Sequence, residues 1–250
     1  MSNVNVGIQL YSVKDEITKY GIDEVFAALR DAGCDSVEFA GFYGIPPMEM
    51  KAKLEKYGLK PHAAHISLPL IPESMEYIDV LGIKEVYLPS YYIDKLRTEE
   101  GFAEFVEWVN RLKPELDARG ITFGYHNHAR ELEGDVDLLD KMSRAIDGFK
   151  IELDIYWALA GGYDPSELIK KYGDRLTALH IKDMHPDADV KKPTLMPNAI
   201  IGEGKCGAEQ AYKTALMQGV KTFILEVEFY PCDYKEYIKK SIENIKNFNK

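Results

Sequence analysis

Short apolar runs alternate with longer amphipathic segments along the whole chain. The short runs are rich in β-branched and aromatic residues, as buried strands are, and the longer segments repeat their apolar residues at helical spacing. Eight segments have the strand pattern: Asn5–Tyr11, Ser36–Ala40, Lys60–His65, Glu85–Pro89, Thr122–His126, Lys150–Asp154, Leu176–Ile181 and Thr222–Val227. The predicted helices include Ile22–Ala32, Met48–Tyr57, Phe102–Arg119, Pro165–Tyr172, Ala208–Gln218 and Tyr234–Asn247. The pattern therefore predicts a repeated strand–helix unit.

A glycine precedes every predicted strand from the second to the last. A glycine just after a helix adopts the left-handed conformation that ends the helix and turns the chain back to the sheet. The positions are Gly33, Gly58, Gly82, Gly120, Gly148, Gly173 and Gly219. Eight parallel units in 250 residues match a single (β/α)8 TIM barrel, which we expect to form one domain over residues 1–250. The alternative, a doubly wound open sheet, is disfavoured because the chain has neither a GxGxxG turn nor a Walker-type phosphate loop.

Composition and charge exclude several classes of protein. The 31 Lys and Arg against 41 Asp and Glu give a net charge of -10, which opposes non-specific binding to nucleic acid or to an anionic membrane. No apolar run reaches the roughly 20 residues of a membrane span, and the first residues lack the pattern of a signal peptide. Three cysteines without a CxxC pair indicate neither a disulfide framework nor a zinc ribbon. We therefore expect a cytoplasmic protein without nucleic-acid or membrane partners.

Histidines and carboxylates concentrate in or just after the predicted strands. The active site of a TIM barrel lies at the carboxyl ends of its strands. The histidines are His62, His65, His126, His128, His180 and His185, and we expect all of them at these strand ends. The carboxylates within otherwise apolar strands are Glu38, Glu152, Asp154, Glu226 and Glu228. A buried carboxylate is costly unless it is paired or bound to a cation, so these residues predict a functional site.

Four of these side chains, one from each of the last four strands, form a predicted metal site. They are His126, Asp154, His180 and Glu226. Imidazole and carboxylate ligands from adjacent strands suit one divalent ion such as Mn²⁺, Co²⁺, Zn²⁺ or Mg²⁺, with open positions for substrate oxygens. The alternative interpretation is a buried salt-bridge network that holds no metal.

The motifs around these residues resemble those of a known superfamily. They are Tyr125-His126-Asn127-His128 followed by Glu131, Leu153-Asp154 with Trp157, His180-Ile181-Lys182-Asp183, Gly202-Glu203-Gly204 and Glu226. Together they resemble the xylose isomerase-like TIM barrels, which include sugar phosphate isomerases and epimerases, inosose dehydratase, ketohexose epimerases and endonuclease IV. The resemblance extends over essentially the whole chain and is specific for the superfamily rather than for a substrate.

The resemblance implies a metal held by a glutamate, an aspartate, a histidine and a glutamate from the last four strands. Asp154, His180 and Glu226 match this pattern, whereas His126 stands where the epimerases have the first glutamate. Either His126 binds the metal or Glu131 reaches back from the loop to do so. Because the epimerases use their two glutamates as an acid/base pair, the substitution favours a one-sided isomerase, dehydratase or lyase.

The mechanism shared by these enzymes is proton abstraction next to a carbonyl, with a metal-stabilised enediolate. Candidate bases are Glu226, His65, His128 and Glu131, because neutral imidazole or a desolvated carboxylate accepts a proton near neutral pH. Lys182 is a candidate donor to a substrate oxygen, or else a structural ion-pair partner of Asp154 or Glu226.

Other residues are candidates for substrate binding. Tyr11, Trp157, Phe42 and Tyr43 are candidates for an apolar wall against the sugar, with ordinary loop packing as the alternative for Phe42 and Tyr43. Glu38 is expected either to accept hydrogen bonds from the sugar hydroxyls or to anchor the mouth of the barrel. Lys191 and Lys192, in the loop after the seventh strand, either meet a phosphate or are exposed loop charges.

The sequence thus predicts a metal-dependent isomerase or epimerase of a sugar, sugar phosphate, keto-sugar or cyclitol. A dehydratase or lyase acting on a keto-sugar or inosose is the alternative. An endonuclease IV-like repair enzyme is disfavoured by the acidic charge, and a non-catalytic sugar-binding barrel stays open because of His126. The partner is a small-molecule sugar, and the resemblance implies a homodimer or homotetramer.

Overall fold

The computed structural model describes residues 4–249, and its strands form a closed parallel barrel. Each strand pairs with the next along the chain, and the last pairs with the first. The strands are β1 (Asn5–Gln9), β2 (Ser36–Ala40), β3 (Lys60–His65), β4 (Glu85–Leu88), β5 (Thr122–His126), β6 (Lys150–Asp154), β7 (Leu176–Ile181) and β8 (Thr222–Leu225). The predicted (β/α)8 TIM barrel is confirmed.

Helices follow the strands and cover the outside of the barrel. They are α1 (Lys14–Tyr20), α2 (Ile22–Asp31), α3 (Pro47–Tyr57), α4 (Ile71–Leu81), α5 (Ile93–Leu96), α6 (Glu99–Ala118), α7 (Leu138–Ala145), α8 (Ile155–Ala160), α9 (Pro165–Tyr172), α10 (Ala208–Met217) and α11 (Tyr234–Asn247). All six predicted helices are present, with differences only at their ends. The seven glycines before the strands all have positive φ, between 56° and 93°. Gly173 differs from the prediction because its ψ of -125° lies outside the left-handed helical region. In the described range no helix is both long and apolar enough to cross a membrane.

Three strands are shorter than the sequence predicts: β4 ends at Leu88 rather than Pro89, and the differences in β1 and β8 concern the mouth of the barrel. β1 ends at Gln9 rather than Tyr11 because the Gln9 side chain accepts a hydrogen bond from the Tyr11 amide, and Leu10–Val13 form a turn of 3-10 helix. β8 ends at Leu225 rather than Val227, so Glu226 begins the loop after the strand. Both changes place a polar side chain where the barrel opens.

The loop between β7 and α10 folds around the carboxylate of Asp183. This carboxylate accepts hydrogen bonds from four amides, those of Met184, Gly202, Gly204 and Cys206, each at 3.0 Å. Gly204 lies so close to the carboxylate that there is no room for a β-carbon. The Gly202-Glu203-Gly204 motif is therefore needed to wrap the loop around Asp183.

Asn198 connects this loop to the one after β8. Its side-chain oxygen accepts hydrogen bonds from the amides of Glu228 at 3.1 Å and Phe229 at 3.2 Å. Its amide group donates to the Asp183 carbonyl oxygen at 3.3 Å. The long loop thereby fixes the position of Glu228 at the mouth of the barrel.

Candidate active site

The four predicted metal ligands lie together at the carboxyl ends of their strands. One ligand atom each from His126, Asp154, His180 and Glu226 can be chosen so that all lie within 4.8 Å of one another, and all four residues are buried. β5, β6 and β7 supply the first three, and Glu226 follows β8 directly. The closed barrel thus brings residues from four strands to one point.

Asp154 has one carboxylate oxygen that caps a helix and one that has no partner. Oδ1 accepts a hydrogen bond from the Trp157 amide at 2.9 Å at the start of α8, whereas Oδ2 is buried without a hydrogen bond. The Asp154 amide donates to the side-chain oxygen of Asn127 at 2.9 Å, which fixes the end of β6 against the end of β5. Burial raises the pKa of Asp154 to about 7. An unpaired buried carboxylate oxygen is a natural ligand for a cation.

The two ring nitrogens of His180 face carboxylates on different sides. Nδ1 lies 2.7 Å from Glu226 Oε2, and Nε2 lies 2.9 Å from Glu38 Oε1 and 3.1 Å from Glu152 Oε2. Burial lowers the pKa of His180, but Glu152 and Glu38 outweigh it and hold that pKa well above its ordinary value. Without a cation, therefore, His180 is a buried imidazolium among carboxylates.

His126 is a neutral imidazole. Burial lowers its pKa to about 3, with a further contribution from His180. Its Nδ1 is buried 3.3 Å from Glu152 Oε2 and makes no hydrogen bond there. Neutral imidazole is the form that binds metals.

A second layer of polar residues lies beside these four side chains. Glu152 Oε2 lies 2.6 Å from His65 Nε2 and also faces His126 and His180, as described above. Glu38 Oε1 lies 2.8 Å from His65 Nε2 and accepts a hydrogen bond of 2.6 Å from the Gln9 side chain. The free oxygens, Glu152 Oε1 and Glu38 Oε2, are buried without partners. His65, His126, Glu152 and His180 form a second group that could hold a metal.

Glu152 was predicted only as one of the strand carboxylates that indicate a site, and no role was predicted for Gln9. Glu152 lies two residues before Asp154, so both side chains point into the barrel. That spacing was the available signal. Glu38, predicted either to bind sugar hydroxyls or to anchor the mouth of the barrel, is fully buried beside the histidines, which favours the second role.

Glu131 shapes the turn after β5 and does not reach the metal ligands. Its Oε1 accepts a hydrogen bond from the Tyr125 hydroxyl at 3.0 Å, and its Oε2 accepts one from the His128 amide at 2.8 Å. The His128 side chain in turn accepts from the Glu131 amide, which completes a capping box. Of the two alternatives for the strand-five ligand, the structure therefore favours His126.

Lys182 is fully buried, and its main ion-pair partner is Glu228 rather than the predicted Asp154 or Glu226. Its Nζ lies 2.6 Å from Glu228 Oε1 and 3.4 Å from Glu226 Oε1. It also lies over the rings of Tyr156 and Trp157, 4.7 and 4.8 Å from their centroids. Burial lowers the pKa of Lys182, but Glu226 and the neighbouring carboxylates outweigh it and raise that pKa, so the ammonium stays charged.

A cavity of about 720 Å³ opens above the cluster. His65, His126, His128 and Glu226 are exposed to it, whereas Asp154, His180, Lys182 and Glu38 lie behind its walls. Tyr11 lines the cavity as expected. Trp157 does not line it, because its ring packs against Lys182 and His128.

The expectation that all six histidines share one end of the barrel is wrong for His62. Its Nε2 lies 3.6 Å from the carboxylate of Glu85, the first residue of β4, and so at the opposite end of the barrel. His185 lies in the loop after β7 near Asp187 and does not line the cavity. The four histidines that meet are His65, His126, His128 and His180. Each lies near or just after the carboxyl end of its strand, which explains why they share one end of the barrel.

The fold and this cluster define a (β/α)8 barrel with a buried imidazole–carboxylate centre at its mouth. The chain belongs to the xylose isomerase-like TIM barrel family, whose model matches residues 26–248. It is similar to the inosose dehydratase of Geobacillus kaustophilus (strain HTA426), with 24% identity over 196 residues. That match covers 67% of this chain and 64% of the relative, so the chain spans less than two-thirds of the relative's length.

Solved structures share the fold over almost the whole chain. A sugar phosphate isomerase/epimerase from Parabacteroides distasonis ATCC 8503 has a TM-score of 0.82 and 23% identity, covering 100% of this chain and 96% of that one. A D-allulose 3-epimerase from Methylomonas sp., solved with D-allulose, has a TM-score of 0.74 and 16% identity, covering 98% and 97%. At these identities the comparisons establish the architecture and leave the substrate to the chemistry of the site.

Proposed function

We propose that this protein is a divalent-metal-dependent isomerase or epimerase of a sugar or keto-sugar. The observation that carries the proposal is the buried set His126, Asp154, His180 and Glu226, with Asp154 Oδ2 unpartnered, directly beneath an open cavity. The inosose dehydratase and D-allulose 3-epimerase to which the chain is similar support the same class of substrate.

The donor set fits a divalent cation. Two neutral imidazoles and two carboxylates would hold it, and a cation would offset the charge of the buried carboxylates. His126 Nδ1 faces Glu152, so the other nitrogen of that ring is the one available to an ion. Both nitrogens of His180 face carboxylates, Nε2 toward Glu152 and Nδ1 toward Glu226, so an ion between His180 and Glu226 would replace the second of these contacts. A carboxylate at the second nitrogen is the usual way in which proteins orient metal-binding histidines. The ion would stabilise the negative charge of an enediolate.

Two basic groups face the cavity from different strands. Glu226 follows β8, and Lys182 and His180 outweigh its burial and hold its pKa well below the ordinary value, so it is ionised. His128 follows β5, and burial lowers its pKa, so it is a neutral imidazole. We assign Glu226 the removal of the proton next to the carbonyl and His128 proton transfer at the far side of the substrate. His65 lies deeper, hydrogen-bonded to Glu152, and keeps the carboxylates in place.

The cavity favours an uncharged substrate. Among residues 4–249 no lysine or arginine lines it, and its charged residues are Glu73, Glu226 and Glu228. Lys191 and Lys192 lie in the loop after β7 and do not line the cavity. A phosphate group would find carboxylates instead of the cations that bind phosphate, so we propose that the sugar is not phosphorylated.

Solvent deuterium exchange tests the proposed reaction. The protein, loaded with Mn²⁺ in D₂O, is incubated with a panel of ketoses, keto-glycosides and inososes. We expect deuterium at the carbon next to the carbonyl of at least one compound, and none with Asp154→Asn. Absence of exchange and turnover across the panel would favour a sugar-binding barrel without catalysis.

A dehydratase is the second candidate. Its support is His126, which leaves the strand-five position without a carboxylate for a symmetric acid/base pair, together with the similarity to inosose dehydratase. Loss of water from an inosose creates a conjugated carbonyl whose ultraviolet absorbance distinguishes this reaction from epimerisation. The cytoplasmic location, the single domain over residues 1–250 and the homodimer or homotetramer stay predictions.

A further inference from the structure

The cavity extends well beyond the cluster. Its volume of about 720 Å³ corresponds to roughly 24 water molecules at ~30 Å³ each, about twice the number of non-hydrogen atoms in a hexose. The four metal-ligand candidates come from the ends of β5 to β7 and the residue after β8, whereas most of the lining comes from the ends of β1, β2 and β3, the segments after them and α4. A single sugar ring placed over the cluster would therefore leave the other side of the cavity empty.

That other side has an apolar surface, which we call the outer wall: Tyr11, Phe42, Leu70 and Tyr77. Phe42 and Tyr77 stack with ring centroids 4.0 Å apart and planes 9° apart. Tyr11 and Leu70 are 46% and 50% exposed, although both are large apolar side chains. Clustered exposed apolar residues inside a cavity mark a surface that a ligand covers.

The outer wall is held rigidly. The Tyr77 hydroxyl donates a hydrogen bond of 2.9 Å to the Ile45 carbonyl oxygen, which fixes α4 against the loop after β2. Tyr43, in that loop, has a φ of 56°, a conformation that a tyrosine seldom adopts, and its hydroxyl donates to the Leu10 carbonyl oxygen at 3.1 Å. The wall is therefore organised before any ligand arrives, which favours binding of a rigid ring.

The edge of the outer wall offers hydrogen-bonding groups without positive charge. Glu73 and Ser74 of α4, Ser67 after β3 and Ser90 after β4 all line the cavity. Such groups suit the hydroxyls of a neutral ligand. The occupant is therefore expected to combine an apolar ring face with hydroxyl groups.

We propose that the substrate is a glycoside, a keto-sugar with a second ring attached through a glycosidic oxygen. The first ring lies over the cluster, and the second ring packs on the outer wall. The assignment of the first ring as the one that reacts rests on the proposed function. The affinity of the outer wall for a second ring does not depend on turnover. An aromatic ring and the C–H face of a second sugar share the chemistry that the wall recognises.

Binding of unreactive glycosides tests this proposal. The probes are methyl and phenyl D-glucopyranosides in both anomeric forms, with maltose and cellobiose, measured by isothermal titration calorimetry on the full chain. We expect a phenyl or glucosyl compound to bind at least about tenfold more tightly than the methyl glycoside of the same anomer. If only the phenyl glycosides bind more tightly than the methyl glycoside, the second ring is an aromatic aglycone. If only the glucosyl compounds do so, the second ring is a sugar.

Leu70→Ala removes part of the outer wall, and Leu195→Ala is its matched control. Leu195 is 77% exposed in the loop after β7 and does not line the cavity. Leu70→Ala is expected to reduce the gain from the second ring about threefold or more while the methyl glycoside binds unchanged, whereas Leu195→Ala alters neither. Equal melting temperatures of the two variants would show that the wall, not the fold, has changed.

The two proposals can fail separately. If no probe binds, or if methyl, phenyl and glucosyl compounds bind equally, the glycoside assignment is overturned, even where monosaccharides exchange deuterium. If the second ring increases affinity and Leu70→Ala abolishes that gain, the glycoside site stands, even where no compound in the panel exchanges deuterium.

Discussion

At the scale of single residues, the site is governed by how each buried charge is compensated. Lys182 is matched by Glu228 and Glu226, and His180 by Glu38, Glu152 and Glu226. Three carboxylate oxygens, one each on Glu38, Glu152 and Asp154, stay buried without partners. Unpaired buried carboxylate oxygens are costly, so the cluster has the composition of a site that a cation completes.

Asp154 and Glu152 are expected to differ in their contribution to metal affinity. Asp154→Asn removes a ligand and should weaken Mn²⁺ binding by more than about 100-fold, whereas Glu152→Gln disturbs only the orientation of two histidines and should cost about 10–100-fold. Metal titration by calorimetry measures both. Asp164→Asn, which alters the exposed cap of α9 and belongs to neither group of candidate ligands, is the control. An equal loss in all three variants would contradict the assignment.

Removing the Lys182 ammonium should destabilise the fold strongly. Lys182→Met leaves Glu228 without its cation and removes one of the two cations beside Glu226, and breaking a buried pair in this way costs about 3–5 kcal/mol. Urea denaturation of the metal-free protein gives the free energy of unfolding. Lys170→Met, which breaks an exposed pair with Glu167, should change it by less than about 1 kcal/mol. A small effect at Lys182 would mean that water or a second cation compensates the carboxylates.

At the scale of elements, the strand ends and the loops after them decide which side chains meet. The turn after β5 is closed by the His128–Glu131 capping box, which exposes the His128 side chain to the cavity. The loop after β7 folds around Asp183 and, through Asn198, fixes the amide of Glu228. Residues that never touch substrate thus determine the position of those that line the cavity.

Asp183 is expected to be essential for the loop after β7. Asp183→Asn loses the negative charge that four amides share, and charge-assisted hydrogen bonds are worth about 1.5–3 kcal/mol each. We expect the free energy of unfolding to fall by about 2–4 kcal/mol and hydrogen exchange at the Gly202, Gly204 and Cys206 amides to accelerate. Asp189→Asn, in the same loop but exposed, should change stability by less than about 0.5 kcal/mol. Unchanged exchange at these amides would show that another group holds the loop.

At the scale of the whole molecule, closure of the barrel brings distant parts of the chain into one site. His180 and Glu38 are 142 residues apart in sequence, yet they lie 2.9 Å apart. Because four strands contribute to the cluster, a bound cation would connect β5, β6, β7 and the end of β8. Its effect is therefore expected on the stability of the whole fold.

Metal binding should raise the melting temperature of the whole protein. A ligand at about 100 times its Kd stabilises the native state by about 2.7 kcal/mol, which for a chain of this size corresponds to a rise of about 5–10 °C. Differential scanning calorimetry of EDTA-treated protein with and without Mn²⁺ measures the shift. The shift should be absent in Asp154→Asn. An identical rise in that variant would place the cation elsewhere.

The sequence by itself determined the order of elements and the class of fold, and it predicted the set His126, Asp154, His180 and Glu226, which the barrel brings together. These depend on local patterns: strand alternation, helical periodicity, glycines that end helices, and the rule that the carboxyl ends of parallel strands form the site. A motif resemblance added the family, and the family model confirmed it.

Only the tertiary structure decided which partner each buried group has. It placed Glu152 among three histidines, paired Lys182 with Glu228, used Glu131 as a cap and opened the cavity toward Phe42 and Tyr77. These contacts depend on strand register and loop paths across the barrel. Sequence spacing indicates that Glu152 points to the same side as Asp154, but it does not indicate the partners of Glu152 or of the other residues. The sequence could therefore predict a set of metal ligands, whereas the packing of a closed barrel determined which groups surround that set and which line the cavity.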